Sequence, residues 1–180
     1  NKPPKNPREF DWGPIQKADS ETGDGQMIQW AIDFLSRPHE QPFFLAAGIY
    51  RPHLPFYAPQ QYFDLYRPDT LKLPKLNDQD LNDLPPAGLK YASQRREDFE
   101  LVMKSGKYRE LLPAYLASIS FADAQIGRLI DSLDASGEAG NTIIVFWSDH
   151  GWHFGEKEHL HKMTLWERST RIPFILVDPR

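Results

Sequence analysis

Apolar residues recur at helical spacing in two parts of the chain. Between Asp24 and Ser36, and again between Lys107 and Ser136, they return every three or four positions, which predicts two helices with one buried face each. We expect the first helix to end before Pro38, because proline cannot continue a regular helix. Gly137 suits the C-terminal cap of the second helix, and its regular part is expected to begin near Pro113.

Three nearly continuous apolar runs predict strands. They are Pro42–Tyr50, Thr142–Trp147 and Pro173–Val177. Thr164 and Glu167 have the spacing of a capping box, which predicts a short helix between the second and third strands. Helices and strands therefore alternate along the chain, and this alternation predicts an α/β fold with a parallel sheet and helices on both faces.

The segments between these elements are expected to be mostly irregular. Asn1–Gly23 is rich in proline and charge and is interpreted as surface chain. The two prolines in Arg51–Pro55 indicate a stiff loop, since proline cannot donate to a β-ladder. Pro68–Gly106 is polar with weak periodicity, which indicates a long excursion with short helices.

Composition narrows the class of protein. The chain has 180 residues, about one domain, with 21 Lys and Arg against 25 Asp and Glu, so no basic excess indicates a nucleic-acid partner. Its apolar segments are far shorter than a membrane span, so we expect no membrane partner. There is no cysteine, which excludes disulfides and thiolate chemistry in this chain. It begins at Asn1 without methionine or signal peptide and ends on a strand-like run, and we expect it to be part of a larger protein.

The end of the Thr142–Trp147 strand carries the strongest candidate for chemistry. Asp149 and His150 follow it almost at once, and Gly151 lets the chain turn. Ligands bind at the carboxyl ends of strands in open α/β sheets, and carboxylate and imidazole groups both bind metals. The pattern indicates a metal site, and its alternative is an aspartate that only caps a turn.

Two further polar residues could contribute to the same site. His53 follows the Pro42–Tyr50 strand, and if the two strands are neighbours it ends on the same rim of the sheet as Asp149. Lys162 is a flexible cation suited to an anionic oxygen. The alternatives are a histidine that packs between Pro52 and Pro55 or hydrogen-bonds a carbonyl, and an ordinary solvated lysine.

Other polar clusters are interpreted as structural. His153, His159 and His161 enrich the loop before Lys162 but lack the spacing of an HExxH zinc motif, and we expect them to line a polar pocket or its rim. Arg95-Arg96 and the neighbouring acids are interpreted as a solvated charged face.

Several motifs together resemble those of one enzyme family. Ser148–Glu156 (SDHGWHFGE), Lys162 and Thr170–Pro173 (TRIP) resemble the second conserved block of type I sulfatases, in the alkaline-phosphatase-like superfamily. Gly48–Phe56 (GIYRPHLPF) resembles the substrate-histidine loop of iduronate-2-sulfatase-like members, and the likeness extends from about Trp12 to Pro179. It implies an alkaline-phosphatase-like α/β/α sandwich with a mostly parallel sheet, of which residues 1–180 would form a partial domain, the C-terminal portion of an N-terminal sulfatase domain.

The resemblance also implies roles for individual residues. Asp149 and His150 would bind a divalent cation, Ca²⁺ or alternatively Mg²⁺ or another divalent ion. His53 would contact the sulfate or protonate the leaving oxygen, and Lys162 would bind a sulfate oxygen. The implied substrate contacts are His53, Lys162, Arg51 and His153. The implied reaction is hydrolysis of sulfate esters of sulfated carbohydrates, in a periplasmic or secreted enzyme.

One departure from the family pattern concerns the nucleophile. The family makes formylglycine from Cys or Ser in a Cys/Ser-x-Pro/Ala-x-Arg motif, and the nearest match, Ser36–Glu40, ends in Glu. The paired-aspartate metal block is also absent from this sequence, so we expect both in an N-terminal part of the same protein, either missing from this sequence or on a separate, cleaved chain. The alternatives are a phosphodiesterase or phosphonate hydrolase of the same superfamily, and a catalytically dead sulfatase-like binding domain, against which the intact set of candidate residues argues.

Overall fold

A computed structural model describes residues 11–93 and 96–180. In chain order the elements are β1 (Trp12–Ile15), a 3-10 turn (Asp19–Glu21), α1 (Gly23–Leu35), β2 (Phe56–Pro59), α2 (Gln60–Phe63), α3 (Pro86–Ala92), α4 (Arg96–Ser105), α5 (Tyr108–Ser136), a 3-10 turn (Ala139–Asn141), β3 (Ile144–Trp147), β4 (His153–Phe154), a 3-10 turn (Glu156–Glu158), β5 (Leu160–His161), α6 (Glu167–Thr170) and β6 (Phe174–Val177). The chain divides into two compact units: the first comprises residues 11–71, 110–142 and 179–180, and the second comprises Lys72–Arg109 and Ile143–Asp178.

The first unit packs α1, α2 and most of α5 around a parallel pair of strands. β1 and β2 run side by side, with Trp12 opposite Phe56 and Ile15 opposite Pro59. The helix α1 begins where Thr22 Oγ1 accepts a hydrogen bond from the Gly25 amide at 3.0 Å. A buried cluster joins β2, α2 and α5, and its members are Ala58, Tyr62, Ala117 and Phe121.

The second unit contains two antiparallel strand pairs and three short helices. β3 pairs with β6, and β4 pairs with β5 in a hairpin whose register sets His153 opposite His161. Phe154 and Leu160 of this hairpin are buried, and the Tyr108 hydroxyl donates to the Phe154 carbonyl at 2.5 Å. The hairpin is therefore the packed centre of this unit.

The helix predictions are confirmed, with one correction. The helix α1 matches the predicted Asp24–Ser36, α5 matches Lys107–Ser136, and Gly137 caps α5 with φ +81°. The prediction that the regular helix begins at Pro113 is wrong, because α5 begins at Tyr108. Tyr108 and Leu111 are buried, and this burial holds the turn before the proline.

Two strand predictions are confirmed and one is wrong. β3 and β6 lie within the runs Thr142–Trp147 and Pro173–Val177. The run Pro42–Tyr50 forms no strand, and Phe44 in it is 93 % exposed. No neighbouring strand pairs with this run in residues 11–93 and 96–180, and a strand needs a partner for its backbone amides and carbonyls.

The pairing of β3 with β6 also differs from the predicted parallel arrangement. The two strands are antiparallel, with Trp147 opposite Phe174. The chain between them forms the β4–β5 hairpin and the four-residue α6, and no long crossover helix brings it back in the same direction. The parallel pair in the described residues is instead β1–β2.

The two short strands β1 and β2 were not predicted from the sequence. β1 lies within Asn1–Gly23, a segment that was predicted to be irregular, and residues 1–10 of that segment are outside the described residues. β2 directly follows the prolines of the Arg51–Pro55 loop. Each is only four residues long, too short for a clear alternation of apolar and polar positions. The short helices predicted for Pro68–Gly106 are present as α3 and α4. In the described part of the chain, no helix is long and apolar enough to cross a membrane.

The predicted capping box does not form, although its helix does. α6 begins at Glu167 with Trp166 at the cap position and no side-chain cap. The Thr164 hydroxyl instead lies 2.9 Å from Ser169 Oγ and 2.9 Å from His153 Nε2. A tertiary contact with the β4–β5 hairpin thus replaces the local capping interaction.

Candidate functional site

Asp149 and His150 lie in the turn after β3, as the sequence predicts. The Ser148 hydroxyl donates to the His150 carbonyl at 2.9 Å and tightens this turn. Asp149 has a side chain 86 % exposed, and its Oδ2 is 3.7 Å from His150 Nε2. His150 Nδ1 lies 2.7 Å from the Gly151 carbonyl, which can only accept, so Nδ1 carries the proton of the neutral ring. The lone pair is then on Nε2, the nitrogen nearer the carboxylate.

Gly151 fixes this turn against α6. Its amide donates to the Ser169 carbonyl at 2.7 Å. A Cβ atom at this position would lie 2.1 Å from the Arg168 carbonyl oxygen and 3.2 Å from that of Arg171. Glycine is therefore required for the close approach of two backbone segments, and α6 determines where Asp149 and His150 lie.

The two donor atoms fit part of a metal site. A separation of 3.7 Å allows both atoms to reach one ion at distances of about 2.0–2.6 Å. Among the residues that the structure describes, no cluster of three or more His, Asp or Glu side chains could hold a metal ion. Calcium takes about 6–8 oxygen ligands, so Asp149 and His150 would supply only a minority of its ligands.

The three histidines of the hairpin are packed inside the second unit, so the expectation that they line a pocket is wrong. His153 and His159 are each 1 % exposed and meet edge to face, with ring centroids 5.2 Å apart. His153 Nδ1 lies 3.2 Å from the Glu156 carbonyl and Nε2 lies 2.9 Å from Thr164 Oγ1. The role of His153 as a substrate contact stays a prediction, one that its burial does not favour.

Burial also keeps His153 neutral. It lowers the pKa of His153 to about 4, and the neighbouring His159 adds to this effect. A neutral ring matches its Nδ1 contact, because Nδ1 donates to the Glu156 carbonyl and Nε2 then carries no proton. The environment of His153 is therefore that of a structural residue.

Lys162 directly follows β5 and is half-buried. Its carbonyl oxygen lies 3.0 Å from His159 Nε2, which must donate. The residues on either side have positive φ angles, +140° at His161 and +72° at Met163. Such angles are strained for side-chain-bearing residues, and strain of this kind concentrates at functional sites.

The His53 loop is held by a carboxylate from α1. Asp24 accepts hydrogen bonds from the Tyr50 and Arg51 amides at 2.8 and 3.1 Å. His53 Nδ1 lies 2.8 Å from the Leu54 carbonyl and 2.9 Å from the Tyr50 hydroxyl. Because the carbonyl can only accept, the neutral ring carries its proton on Nδ1, and these contacts orient the imidazole.

Arg51 stabilises the same loop through a hydrogen bond and a cation–π contact. Its Nε donates to the Tyr57 carbonyl at 2.7 Å, and its guanidinium lies 5.2 Å from the centre of the Tyr50 ring. Burial lowers the pKa of Arg51 below its ordinary value, while Asp24 opposes this shift. The role of Arg51 as a substrate contact stays a prediction.

The candidate residues fall in both units. His53 and Arg51 belong to the first, and Asp149, His150, His153 and Lys162 belong to the second. The structure brings Asp149 and His150 together. That His53 ends on the same rim as Asp149 stays a prediction.

Sequence reasoning missed the side chains that support these residues. Asp24 resembles an ordinary acid in the first turn of a helix. Asp98 was assigned to a solvated charged face, but it is 3 % exposed and its Oδ2 lies 2.8 Å from His161 Nε2. Arg95 of the same predicted face is outside the described residues. Val102 on α4 was a usable indication, because residues four positions apart share a helix face and an apolar Val102 places Asp98 on the buried side.

Comparison with known proteins identifies the family. A family model described as Sulfatase matches residues 2–180. The chain belongs to the sulfatase family. It is 42 % identical to a sulfatase of Formosa agariphila over 94 % of this chain and 34 % of that protein. It is 34 % identical to human iduronate 2-sulfatase over 87 % of this chain and 30 % of that protein. This chain thus spans about a third of the length of these curated relatives, and the predicted family is confirmed.

Solved structures confirm the fold class. A phosphonate monoester hydrolase of Agrobacterium radiobacter aligns with a TM-score of 0.78 at 22 % identity, covering 95 % of this chain and 36 % of that one. A protein solved with its substrate D-glucosamine-2-N,6-O-disulfate aligns with a TM-score of 0.65 at 22 % identity, covering 87 % and 43 %. At these identities the likeness concerns the fold alone. The sulfatase chain is therefore a partial α/β domain of the alkaline-phosphatase-like class.

Proposed function

We propose that residues 1–180 are part of the catalytic domain of a sulfuric ester hydrolase that acts on sulfated sugars with a divalent cation. The observation that carries this proposal is the turn after β3, where Asp149 Oδ2 and His150 Nε2 lie 3.7 Å apart. The chain that holds this pair of donor atoms belongs to the sulfatase family. The tautomer of His150 leaves a lone pair on the nitrogen that faces the carboxylate, as a metal ligand needs.

The proposed ion is calcium, with magnesium or another divalent cation as the alternative. Asp149 supplies a hard carboxylate oxygen, which calcium prefers, and His150 supplies a nitrogen, a less usual ligand for this ion. When bound, such a cation polarises an oxygen of the sulfate ester and stabilises negative charge on the transferring group. The chain's own contribution is to hold both donor atoms in one turn anchored by Gly151.

Lys162 and His53 act on the substrate in this proposal. The Lys162 ammonium binds a sulfate oxygen, since a cation near the reacting group stabilises charge that develops there. His53 has its ring held through Nδ1, so a protonated ring would present Nε2–H to the leaving oxygen. An imidazole is suited to this role because it exchanges a proton near neutral pH.

The formylglycine nucleophile and the other metal ligands are proposed to lie elsewhere in the same protein. This chain contains no cysteine and spans about a third of its curated relatives. The exposed apolar side chains of β3 and β6, among them Val145, Trp147 and Phe174, support a larger sheet around these strands. We also propose a periplasmic or secreted location, which fractionation of cells producing the full-length protein tests.

Asp149→Ala in the full-length protein tests the proposal. The protein is stripped with a chelator, resupplied with Ca²⁺, Mg²⁺ or Mn²⁺, and assayed on 4-nitrophenyl sulfate and on glucosamine 2-N,6-O-disulfate. We expect turnover to fall about a hundredfold or more and Ca²⁺ affinity, measured by calorimetry, to weaken. Asp83→Ala is the matched control, because the Asp83 side chain is 70 % exposed in the same unit. Unchanged turnover and unchanged Ca²⁺ affinity would remove Asp149 from the metal site.

A phosphonate monoester hydrolase is the second candidate function, because a solved enzyme of this kind has the same fold and the fold alone does not distinguish the two activities. The same preparation is assayed on 4-nitrophenyl phenylphosphonate. Sulfate ester hydrolysis faster than phosphonate hydrolysis supports the sulfatase, and the reverse order supports the second candidate.

A further inference from the structure

The backbone around Lys162 is strained on both sides. His161 has φ +140° and Met163 has φ +72°, both in the region that favours glycine. Residues in such conformations persist only where surrounding contacts hold them. Some part of the second unit must therefore fix the segment that carries the Lys162 side chain.

Two buried histidines on either side of Leu160 supply this restraint. His159 Nε2 donates to the carbonyl of Lys162 at 3.0 Å, and His159 is 1 % exposed. His161, the residue immediately before Lys162, is also buried and packs against Trp152 with ring centroids 5.1 Å apart. The two rings are close to each other, with centroids 6.3 Å apart.

Asp98 reaches this group from α4. Its Oδ2 lies 2.8 Å from His161 Nε2, and the side chains of Asp98 and His161 are only 4 % and 9 % exposed. A carboxylate withdrawn from water needs a strong partner, and the hydrogen bond to the imidazole provides one. This bond is directional, so it fixes the His161 ring and restrains the backbone from which Lys162 projects.

We propose that Asp98 is a positioning residue for Lys162. Through His161 it holds the strained backbone at the end of β5, so that the Lys162 ammonium stays where a sulfate oxygen would bind. The inference rests on the proposed function, because it requires Lys162 to contact the sulfate. It adds a role for a carboxylate 64 positions earlier in the sequence, on an element outside the family motifs.

A double-mutant cycle in the full-length protein tests this role. Asp98→Leu removes the acceptor while keeping similar volume, and Lys162→Met removes the ammonium. We expect Asp98→Leu alone to lower kcat on 4-nitrophenyl sulfate by about 10- to 100-fold, with a smaller change in KM, because misplacing a group by about 1 Å can cost this much. In the Lys162→Met background the same substitution should have almost no further effect on kcat, because its effect passes through Lys162.

Controls separate positioning from general loss of stability. Asp80→Leu loosens the other end of the same hairpin, where Asp80 accepts from the Lys157 amide at 2.7 Å, and its effect on kcat should be small and additive with Lys162→Met. Asp98→Asn keeps an acceptor and should recover most of the kcat lost in Asp98→Leu. His161→Phe breaks the same contact from the other side, and its cycle with Lys162→Met replaces that of Asp98→Leu if Asp98→Leu does not fold, as judged by melting temperature.

The outcomes separate the two proposals. Suppose that Lys162→Met lowers kcat. If the losses of kcat in the two single variants then add in the double variant, or if Asp98→Leu has a normal kcat, the positioning role is overturned and the proposed function is left intact. A normal kcat in Lys162→Met contradicts the role of Lys162 itself, and the positioning role is then overturned with it.

Discussion

Replacing Gly151 by alanine should disrupt both the stability of the second unit and the site. The added Cβ would lie 2.1 Å from the Arg168 carbonyl oxygen, a backbone atom. Since an ordinary contact of this kind needs more than about 3.3 Å, the two backbone segments must separate by about 1 Å, which lengthens the hydrogen bond from the Gly151 amide to the Ser169 carbonyl.

The magnitude follows from these two effects. Overpacking of this size costs about 1–3 kcal/mol, and the weakened buried hydrogen bond adds about 0.5–1.5 kcal/mol. We therefore expect a loss of about 2–4 kcal/mol in the free energy of unfolding, measured by urea denaturation. Turnover should fall by about a hundredfold, because Asp149 and His150 move with the turn.

Gly127→Ala is the matched control. Gly127 is exposed on α5, and a Cβ added there meets no atom within 4 Å. This change should stabilise the helix by about 0.5–1 kcal/mol and leave turnover unchanged. A Gly151→Ala variant with the stability and turnover of the unmodified protein would show that the turn and α6 are not in this close contact.

Two further predictions concern the pH dependence of stability. The hydrogen bond from the Lys157 amide, together with the Lys157 ammonium, lowers the pKa of Asp80, and the contacts of that ammonium with Asp83 and Asp80 raise the pKa of Lys157. The stabilisation from the ion pairs should be lost as pH falls below the ordinary Asp80 value of 3.8 and as pH rises above the ordinary Lys157 value of 10.5. Lys157→Met keeps the amide hydrogen bond and removes only the ion pairs, so it should cost about 0.5–1 kcal/mol at pH 7 in urea denaturation and little at either extreme. The pKa of His153 is lowered from 6.5 to about 4, so the unfolded chain takes up a proton first and stability should fall as pH drops through this interval. His153→Gln should flatten the unfolding free energy between these pH values, and an unchanged slope would contradict the burial of a neutral ring.

The sequence pattern predicted the elements whose backbone hydrogen bonds form within the element itself. The helices α1 and α5 repeat an apolar face over several turns, and Gly137 ends α5 as its conformational freedom suggests. The run Pro42–Tyr50 has similar apolar content but forms no strand, because strand formation depends on partners that the pattern cannot identify. The antiparallel pairing of β3 with β6 likewise depends on the path of the chain between them.

The candidate site shows a similar division between motif and support. Asp149 is an exposed motif residue, and the local pattern after β3 predicted its position in a turn. The residues that hold the segment around Lys162 are buried polar groups, such as Asp98 and His161, whose contact joins positions 63 residues apart and is encoded by no local pattern. Buried polar groups are stable only when hydrogen-bonded, so each one restricts the geometry of its partners. The second unit therefore gains rigidity around Lys162 from buried polar residues, one of which, Asp98, was predicted to lie on a solvated charged face.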